Sequence, residues 1–153
     1  MNHKELCSCL KLDSYDVEIS FSSPKTDIIG FFQERNIPFD ISADGKMALK
    51  SRILLLDITF LIFLEFDGEK IISVAMLPDR ALEGKALYSR FSAIQKAIKK
   101  ELGSPDNGLL ESLMNCLVPD GRSSRWRREG VTVKHFLRDR FGMEEIIYIE
   151  PCE

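Results

Sequence analysis

The sequence contains none of the short motifs that mark common catalytic or nucleotide-binding sites. Its 153 residues include no P-loop, no Gly-x-Gly-x-x-Gly, no Gly-x-Ser-x-Gly and no His-Glu-x-x-His. The adjacent Glu144 and Glu145 should point to opposite faces of a strand, which excludes a carboxylate dyad. His135 falls on the apolar side of an alternating strand, which favours a structural histidine over a general base. These absences favour a binding protein over an enzyme.

Cysteine is scarce, and its spacing does not fit a metal site. The four cysteines are Cys7, Cys9, Cys116 and Cys152. Only one residue separates Cys7 from Cys9, whereas zinc sites usually use Cys-x2-Cys spacing and a second ligand pair. We therefore predict reduced thiols, no bound metal and no cofactor. The alternative is half of a zinc site at Cys7 and Cys9, completed by His3, Cys116 or Cys152.

No apolar run has the length of a membrane span. The most apolar run, 53–64, is short for a span and is interrupted by Asp57, so a buried strand explains it better. The N-terminus has one early lysine but lacks an apolar segment of the length that a signal peptide needs. We therefore expect a cytoplasmic protein that does not contact a membrane.

The composition is typical of a folded domain. Hydrophobic residues make up 44% of the chain and charged residues 29%, and the formal net charge is -3. These values argue against disorder and give no whole-chain signal for nucleic acid. A chain of this length can build one core. We predict a single α+β domain over 1–153, with 1–14 forming a helical turn or a flexible end.

The stretch from 58 to 102 carries the clearest structural pattern. Two apolar runs, 58–66 and 70–77, flank Asp67-Gly68, a hairpin turn signal because glycine takes positive φ without steric cost. A stripe of large apolar residues at helical spacing follows. Its members are Leu87, Phe91, Ile94, Ile98 and Leu102. The pattern predicts a β-hairpin covered by a long helix, about 84–102.

Weaker patterns complete the predicted fold. Alternating apolar residues predict further strands near 15–21, 39–49 and 124–150. One shorter helix is predicted to begin at Pro24, with Ser23 as its N-cap, and another at 108–118. The fold class is therefore α+β: a mainly antiparallel β-sheet, packed on one face by the helix at about 84–102, with one or two shorter helices.

Positive charge is concentrated near the C-terminal end. Between 121 and 140 the sequence has seven basic and two acidic residues, although the whole chain is net acidic. Such asymmetry can mark an anion-binding surface, and an aromatic residue within it can stack or anchor a partner. The predicted binding residues are Arg122, Arg125, Trp126, Arg127, Arg128, Lys134 and Arg138. The alternative is a solvated hairpin whose basic residues pair with acids, with Trp126 in the core.

The order of elements after residue 58 resembles that of small uncharacterised bacterial α+β proteins, including immunity proteins that neutralise toxins. The residues that carry the resemblance are Phe63-Leu64-Glu65-Phe66-Asp67-Gly68, then 91–98, Leu102-Gly103-Ser104-Pro105, Trp126 and 131–137. This resemblance implies a non-enzymatic, cytoplasmic role in binding another protein, and it carries over no functional residue.

Two further functions stay open at this point. One is a small-ligand-binding domain or enzyme with a pocket between sheet and helix, which a deep polar cavity containing His135 and a carboxylate would favour. The other is a nucleic-acid-binding adaptor that uses the basic hairpin at 122–140. The favoured prediction is a protein-binding domain, and more specifically an immunity-type inhibitor of a toxin.

Overall fold

A computed structural model of the chain describes residues 5–108, 112–113, 122–139 and 143–152. Most of the predicted helix at 108–118 lies outside these residues, as do Cys116 and His3. In chain order the helices and strands are α1 (Glu5–Ser8), β1 (Cys9–Leu12), β2 (Val17–Ser20), α2 (Lys25–Glu34), β3 (Phe39–Ile41), β4 (Met47–Arg52), β5 (Thr59–Asp67), β6 (Lys70–Pro78), α3 (Gly84–Leu102), β7 (Ser123–Arg128), β8 (Val131–Asp139) and β9 (Met143–Pro151).

A seven-stranded sheet dominates the fold, which confirms the α+β prediction. Its strand order is β3-β4-β5-β6-β9-β8-β7, and every neighbouring pair is antiparallel. A separate two-stranded sheet pairs β1 with β2. The predicted central hairpin is confirmed as β5 and β6, with Gly68 at φ 59° in the turn.

One face of the seven-stranded sheet, named here the inner face, builds the main core. Successive strand residues point to opposite faces, so residues paired across strands share a face. The buried inner-face residues include Met47, Leu49, Phe60, Ile62, Leu64, Val74, Met76, Trp126, Val131, Val133, Ile147 and Ile149. Residues of α2, β1 and β2 join the same core cluster, so these elements lie on the inner side too.

The long helix α3 lies where the sequence predicted it. All five residues of the predicted stripe, Leu87, Phe91, Ile94, Ile98 and Leu102, are buried. Ile94, Ile98 and Leu102 belong to the same cluster as the inner-face strands. Gly103 ends the helix at φ 79°, a conformation that glycine adopts without strain. The helix therefore covers the inner face, as predicted.

The N-terminal segment, for which a helical turn or a flexible end was predicted, contains a helical turn and a buried strand. Within 1–14, residues 9–12 form β1, and Leu10 and Leu12 are among the most buried residues of the core. Both leucines alternate with polar neighbours, which suits a strand with one buried face. A single helical turn, α1, precedes this strand.

The shorter helices agree with the sequence only in part. Helix α2 lies where a helix was predicted, with Ile28 and Phe32 buried, but its N-cap residue is Pro24 and not Ser23. The Thr26 amide in its first turn donates instead to Glu69 Oε2 at 2.8 Å. The other predicted short helix falls mostly outside the residues described. Among those described, no helix has both the length and the apolar character needed to cross a bilayer.

Candidate functional site

The seven predicted binding residues are divided between two faces of the sheet. Arg122, Trp126 and Arg128 contact α3 or the segment that follows it. The others lie on the opposite face, named here the outer face, because they alternate with buried residues along β7 and β8. These outer-face residues are Arg125, Arg127, Lys134 and Arg138. The structure therefore does not bring the seven together into one site.

Trp126 and Arg128 stabilise the end of α3. The Trp126 side chain is 1% exposed, and its Nε1 donates a hydrogen bond to the Gly103 carbonyl at 2.9 Å. Arg128 donates from Nε to the Leu102 carbonyl and from Nη2 to the Ser104 carbonyl, both at 2.7 Å. The last carbonyls of a helix lack intrahelical donors, so a guanidinium there acts as a cap. Both residues have structural roles, and Trp126 lies in the core as the alternative interpretation proposed.

Several of the basic side chains are paired with acids. Lys134 contacts Glu150 at 2.9 Å, and Arg138 contacts Glu144 at 3.1 Å, each across β8 and β9. Arg128 contacts Asp106 at 2.7 Å as well. The guanidinium of Arg122 lies 5.2 Å from the centre of the Tyr88 ring, a cation–π contact. Much of the positive charge in this segment is therefore compensated locally.

Arg125 and Arg127 are the exceptions. Neither forms an ion pair with a side chain in the described ranges, and the buried Nε of Arg125 has no hydrogen-bond partner there. Their backbone amides donate to the side chains of Asn107 and Asp106, at 3.0 and 2.8 Å. Strand β7 lies at the edge of the sheet. The two bonds satisfy backbone amides there that could otherwise pair with a strand of another molecule. The Arg127 side chain is exposed and can reach a partner, whereas Arg125 is half-buried.

The outer face is unusually apolar for a sheet surface outside the core. Antiparallel sheets with one wet face usually place polar residues there. Here the outer-face positions of β5, β6, β8 and β9 include seven apolar residues, six of them large, that belong to neither buried cluster. They are Leu61, Phe63, Ala75, Leu77, Phe136, Ile146 and Tyr148. All except Ile146 are half-buried, so part of their apolar area is exposed.

Strand register places the apolar and basic residues in one continuous row. Phe63 pairs with Ala75, Ala75 with Tyr148, Tyr148 with Lys134, and Lys134 with Arg125. The row crosses five strands and changes from apolar at β5 to basic at β7. An apolar centre beside a polar, charged rim is the usual arrangement of a protein interface. This row, named here the outer-face row, is the candidate site.

A buried polar network lies on the inner side. His135 Nε2 is 2.9 Å from Glu145 Oε1, and Arg90 Nε donates to Glu145 Oε2 at 2.7 Å. Because a carboxylate only accepts, Nε2 of His135 carries the proton. The Phe91 ring stacks on the imidazole, with ring centres 4.1 Å apart. His135 Nδ1 is buried and has no hydrogen-bond partner among the described atoms.

This network is buried. The side chains of His135 and Glu145 are both 0% exposed, and Phe91 occupies the space above the imidazole. A carboxylate accompanies His135, as the alternative with a polar pocket required, but both side chains are buried. The geometry supports a structural network under α3.

Stability should fall as the pH drops below about 6.5 because His135 is buried in its neutral form. Burial lowers the pKa of His135 from its usual 6.5, and Glu145 opposes this only in part. The unfolded chain therefore takes up a proton at a higher pH than the folded chain. The stabilisation is complete above about pH 6.5 and is lost toward the folded-state pKa, by at most about 1.4 kcal/mol per pH unit.

Urea unfolding between about pH 7.5 and 5 measures this effect. His135→Gln removes the titrating group and keeps a donor for Glu145, so its stability should depend less on pH in that window. His3→Gln, at the only other histidine of the sequence, is the control. An acid dependence that is the same in wild type and His135→Gln would contradict a neutral, buried His135.

The cysteines of the described residues show no metal arrangement. Cys9 Sγ lies 3.9 Å from a Glu18 carboxylate oxygen, and the exposed Cys152 has its Sγ 3.8 Å from Thr132 Oγ1. Within the part of the chain described, no group of three or more His, Cys, Asp or Glu residues converges as metal ligands do. Cys116, one proposed ligand of the alternative zinc site, lies outside that part.

The sequence missed the partners of His135. It placed the imidazole correctly beside Val131, Val133 and Leu137, and it placed Glu144 and Glu145 correctly on opposite faces. The signal it could have used is alternation in β9, where Glu145 shares its side with Ile147 and Ile149. An acid at such a position needs a buried partner.

Comparisons with known proteins do not assign a family or a function to this chain. The resemblance to immunity-type proteins rests on the order of elements, and the candidate site rests on strand register and burial. No protein-family model, no curated protein and no solved structure matches the chain.

Proposed function

We propose that this chain is a non-enzymatic protein-binding domain that docks its partner on the outer-face row. The observation that carries the proposal is the apolar character of the outer face, with Phe63 and Tyr148 in register across β5, β6 and β9. Contiguous apolar surface outside a core marks interaction sites more often than chance. Tyr148 is also suited to such a site because tyrosine combines a large apolar ring with a polar end.

Charge compensation favours a protein over a nucleic acid as the partner. A protein that binds duplex DNA relies on several Lys and Arg side chains, which neutralise phosphates and release their counterions. On the outer face Lys134 and Arg138 already contact Glu150 and Glu144, so of the predicted residues there only Arg125 and Arg127 lack an ion pair among the described side chains. Guanidiniums without an ion pair at one end of an apolar row suit carboxylates at the rim of a protein partner.

The specific form we propose is an immunity-type inhibitor that acts in the cytoplasm. Such a protein needs a complementary surface and no reactive group, which fits a buried His135 network and a broad outer face. The partner in this proposal is a toxin protein. The order of elements after residue 58 supports this form, and the outer-face row supports the more general binding role.

Ala75→Arg is expected to abolish partner binding while the domain stays folded. Ala75 lies in the middle of the outer-face row, between Phe63 and Tyr148, and its side chain is half-buried at the surface. A long charged side chain there would hold an apolar partner surface away. We expect recovery of the specific partner by affinity purification, quantified by mass spectrometry, to fall about tenfold or more.

The matched control is Ala86→Arg, the same change at an exposed position of α3. It should recover the partner as wild type does, and circular dichroism checks the fold of both variants. If Ala75→Arg recovers the same proteins in the same amounts, the outer-face row is not the binding site. The proposal of an immunity-type inhibitor is tested separately by bacterial growth. A candidate toxin should arrest growth when it is expressed alone, and coexpression of the wild-type chain, but not of Ala75→Arg, should restore growth.

A further inference from the structure

The loop between β4 and β5 presents an exposed leucine in an unusual backbone conformation. Leu54 and Leu55 have φ angles of 58° and 54°, a region that residues with side chains rarely occupy. Leu55 is 71% exposed, although an isolated apolar side chain gains nothing from that position. The flanking Leu54 and Leu56 are half-buried and pack against the core.

Hydrogen bonds from the β1–β2 connection fix this loop. The Leu55 amide donates to Asp13 Oδ2 at 2.7 Å, and the Asp13 amide donates to the Arg52 carbonyl at 2.9 Å. The Arg52 amide donates to Ser14 Oγ at 2.8 Å. These bonds anchor the loop at Arg52 and at Leu55, so the backbone of Leu55 is held in place while its side chain is exposed.

A groove separates this loop from the exposed side of α3. Its volume is about 430 Å³. The loop wall consists of Leu54, Leu55 and Leu56, and the helix wall includes Ala93 and Ala97. These alanines are four residues apart and lie one above the other, so another chain can approach the helix closely.

The rim of the groove is mainly basic. Lys96, Lys100 and Glu101 line it beside the alanines. Neither lysine forms an ion pair with a side chain in the described ranges, whereas Lys134 and Arg138 of the outer face do. Two unpaired lysines against one acid favour an occupant that carries negative charge.

We infer that this groove docks an acidic amphipathic helix of a partner protein. The apolar stripe of such a helix would bury Leu55 and pack on the alanines, while its acidic flank would meet Lys96 and Lys100. Because α3 covers the inner face, the groove lies on the other side of the sheet from the outer-face row. The inference is independent of the proposed function, and each can fail without the other.

The test uses a designed helical peptide on the full chain. The probe is about 18 residues long, long enough to be helical, with leucines at i, i+3, i+4 and i+7 and glutamates on both flanks. Fluorescence anisotropy measures its affinity, and NMR chemical shifts locate it. We expect shifts at 54–56 and 93–101, and a loss of affinity of about tenfold or more for Leu55→Ser and for Lys100→Glu.

Matched variants control for apolar area and for charge. Ile72→Ser changes another exposed apolar residue, 42% exposed, and Lys85→Glu reverses an exposed lysine near the start of α3. Both should bind the probe as wild type does, and a lysine-flanked version of the probe should bind at least about tenfold more weakly. The inference is overturned if the acidic probe does not bind, or binds Leu55→Ser as well as wild type. A wild-type dimer that Leu55→Ser dissociates would also overturn it, because the occupant would then be a second copy.

Discussion

Replacing Glu145 by glutamine is expected to lower the free energy of unfolding by about 3–5 kcal/mol near neutral pH. Glu145 accepts from Arg90 through one oxygen and from His135 through the other, and its side chain is 0% exposed. The glutamine keeps the volume but removes the negative charge. Arg90, whose side chain is 10% exposed, is then left as a buried cation without a counterion.

The adjacent residue provides the control. Glu144 also contacts an arginine, Arg138, at 3.1 Å, but both side chains are more than two-fifths exposed. Exposed pairs of this kind contribute about 0–1 kcal/mol, so Glu144→Gln should cost less than about 1 kcal/mol. Urea unfolding at constant pH compares the two variants. Equal losses at both positions would mean that the Glu145 network does not carry the stability that its burial implies.

Short-range patterns were sufficient to predict much of the fold. The bounds of α3, its five buried residues and the β5–β6 hairpin all follow from spacing within a few residues. The strand order could not be predicted in this way. β6 pairs with β9 across a long sequence separation, and no local pattern encodes that choice.

The candidate site was harder to predict for the same reason. A run of arginines in the sequence shows where positive charge is concentrated. Ion pairs with acids on neighbouring strands then decide which of these charges stay uncompensated. Lys134 and Arg138 form ion pairs with acids on the neighbouring strand β9, whereas Arg125 and Arg127 form none with a described side chain. The apolar half of the outer-face row, centred on Ala75, comes from other strands and is visible only when their register is known. The sequence therefore located the basic end of the candidate site and missed its apolar end.

The second large effect is expected at Trp126, where alanine should cost about 3–5 kcal/mol of unfolding free energy. The indole is almost fully buried on the inner face, and its Nε1 hydrogen bond holds the Gly103 carbonyl at the end of α3. The substitution opens a cavity and leaves that carbonyl without its donor, which adds about 1 kcal/mol or more. Hydrogen exchange should show faster opening of the last turn of α3, and a denaturant melt measures the total loss.

Arg127→Ala, the next residue along β7, is the control because its side chain is exposed and points to the outer face. It should change stability by no more than about 0.5 kcal/mol. The pair of variants also separates the two interpretations of the basic hairpin. If Trp126 is a core residue, Trp126→Ala lowers stability whether or not a partner is present. If Trp126→Ala instead keeps wild-type stability and weakens partner binding by about 2 kcal/mol or more, Trp126 is an interface anchor and its place in the core is wrong.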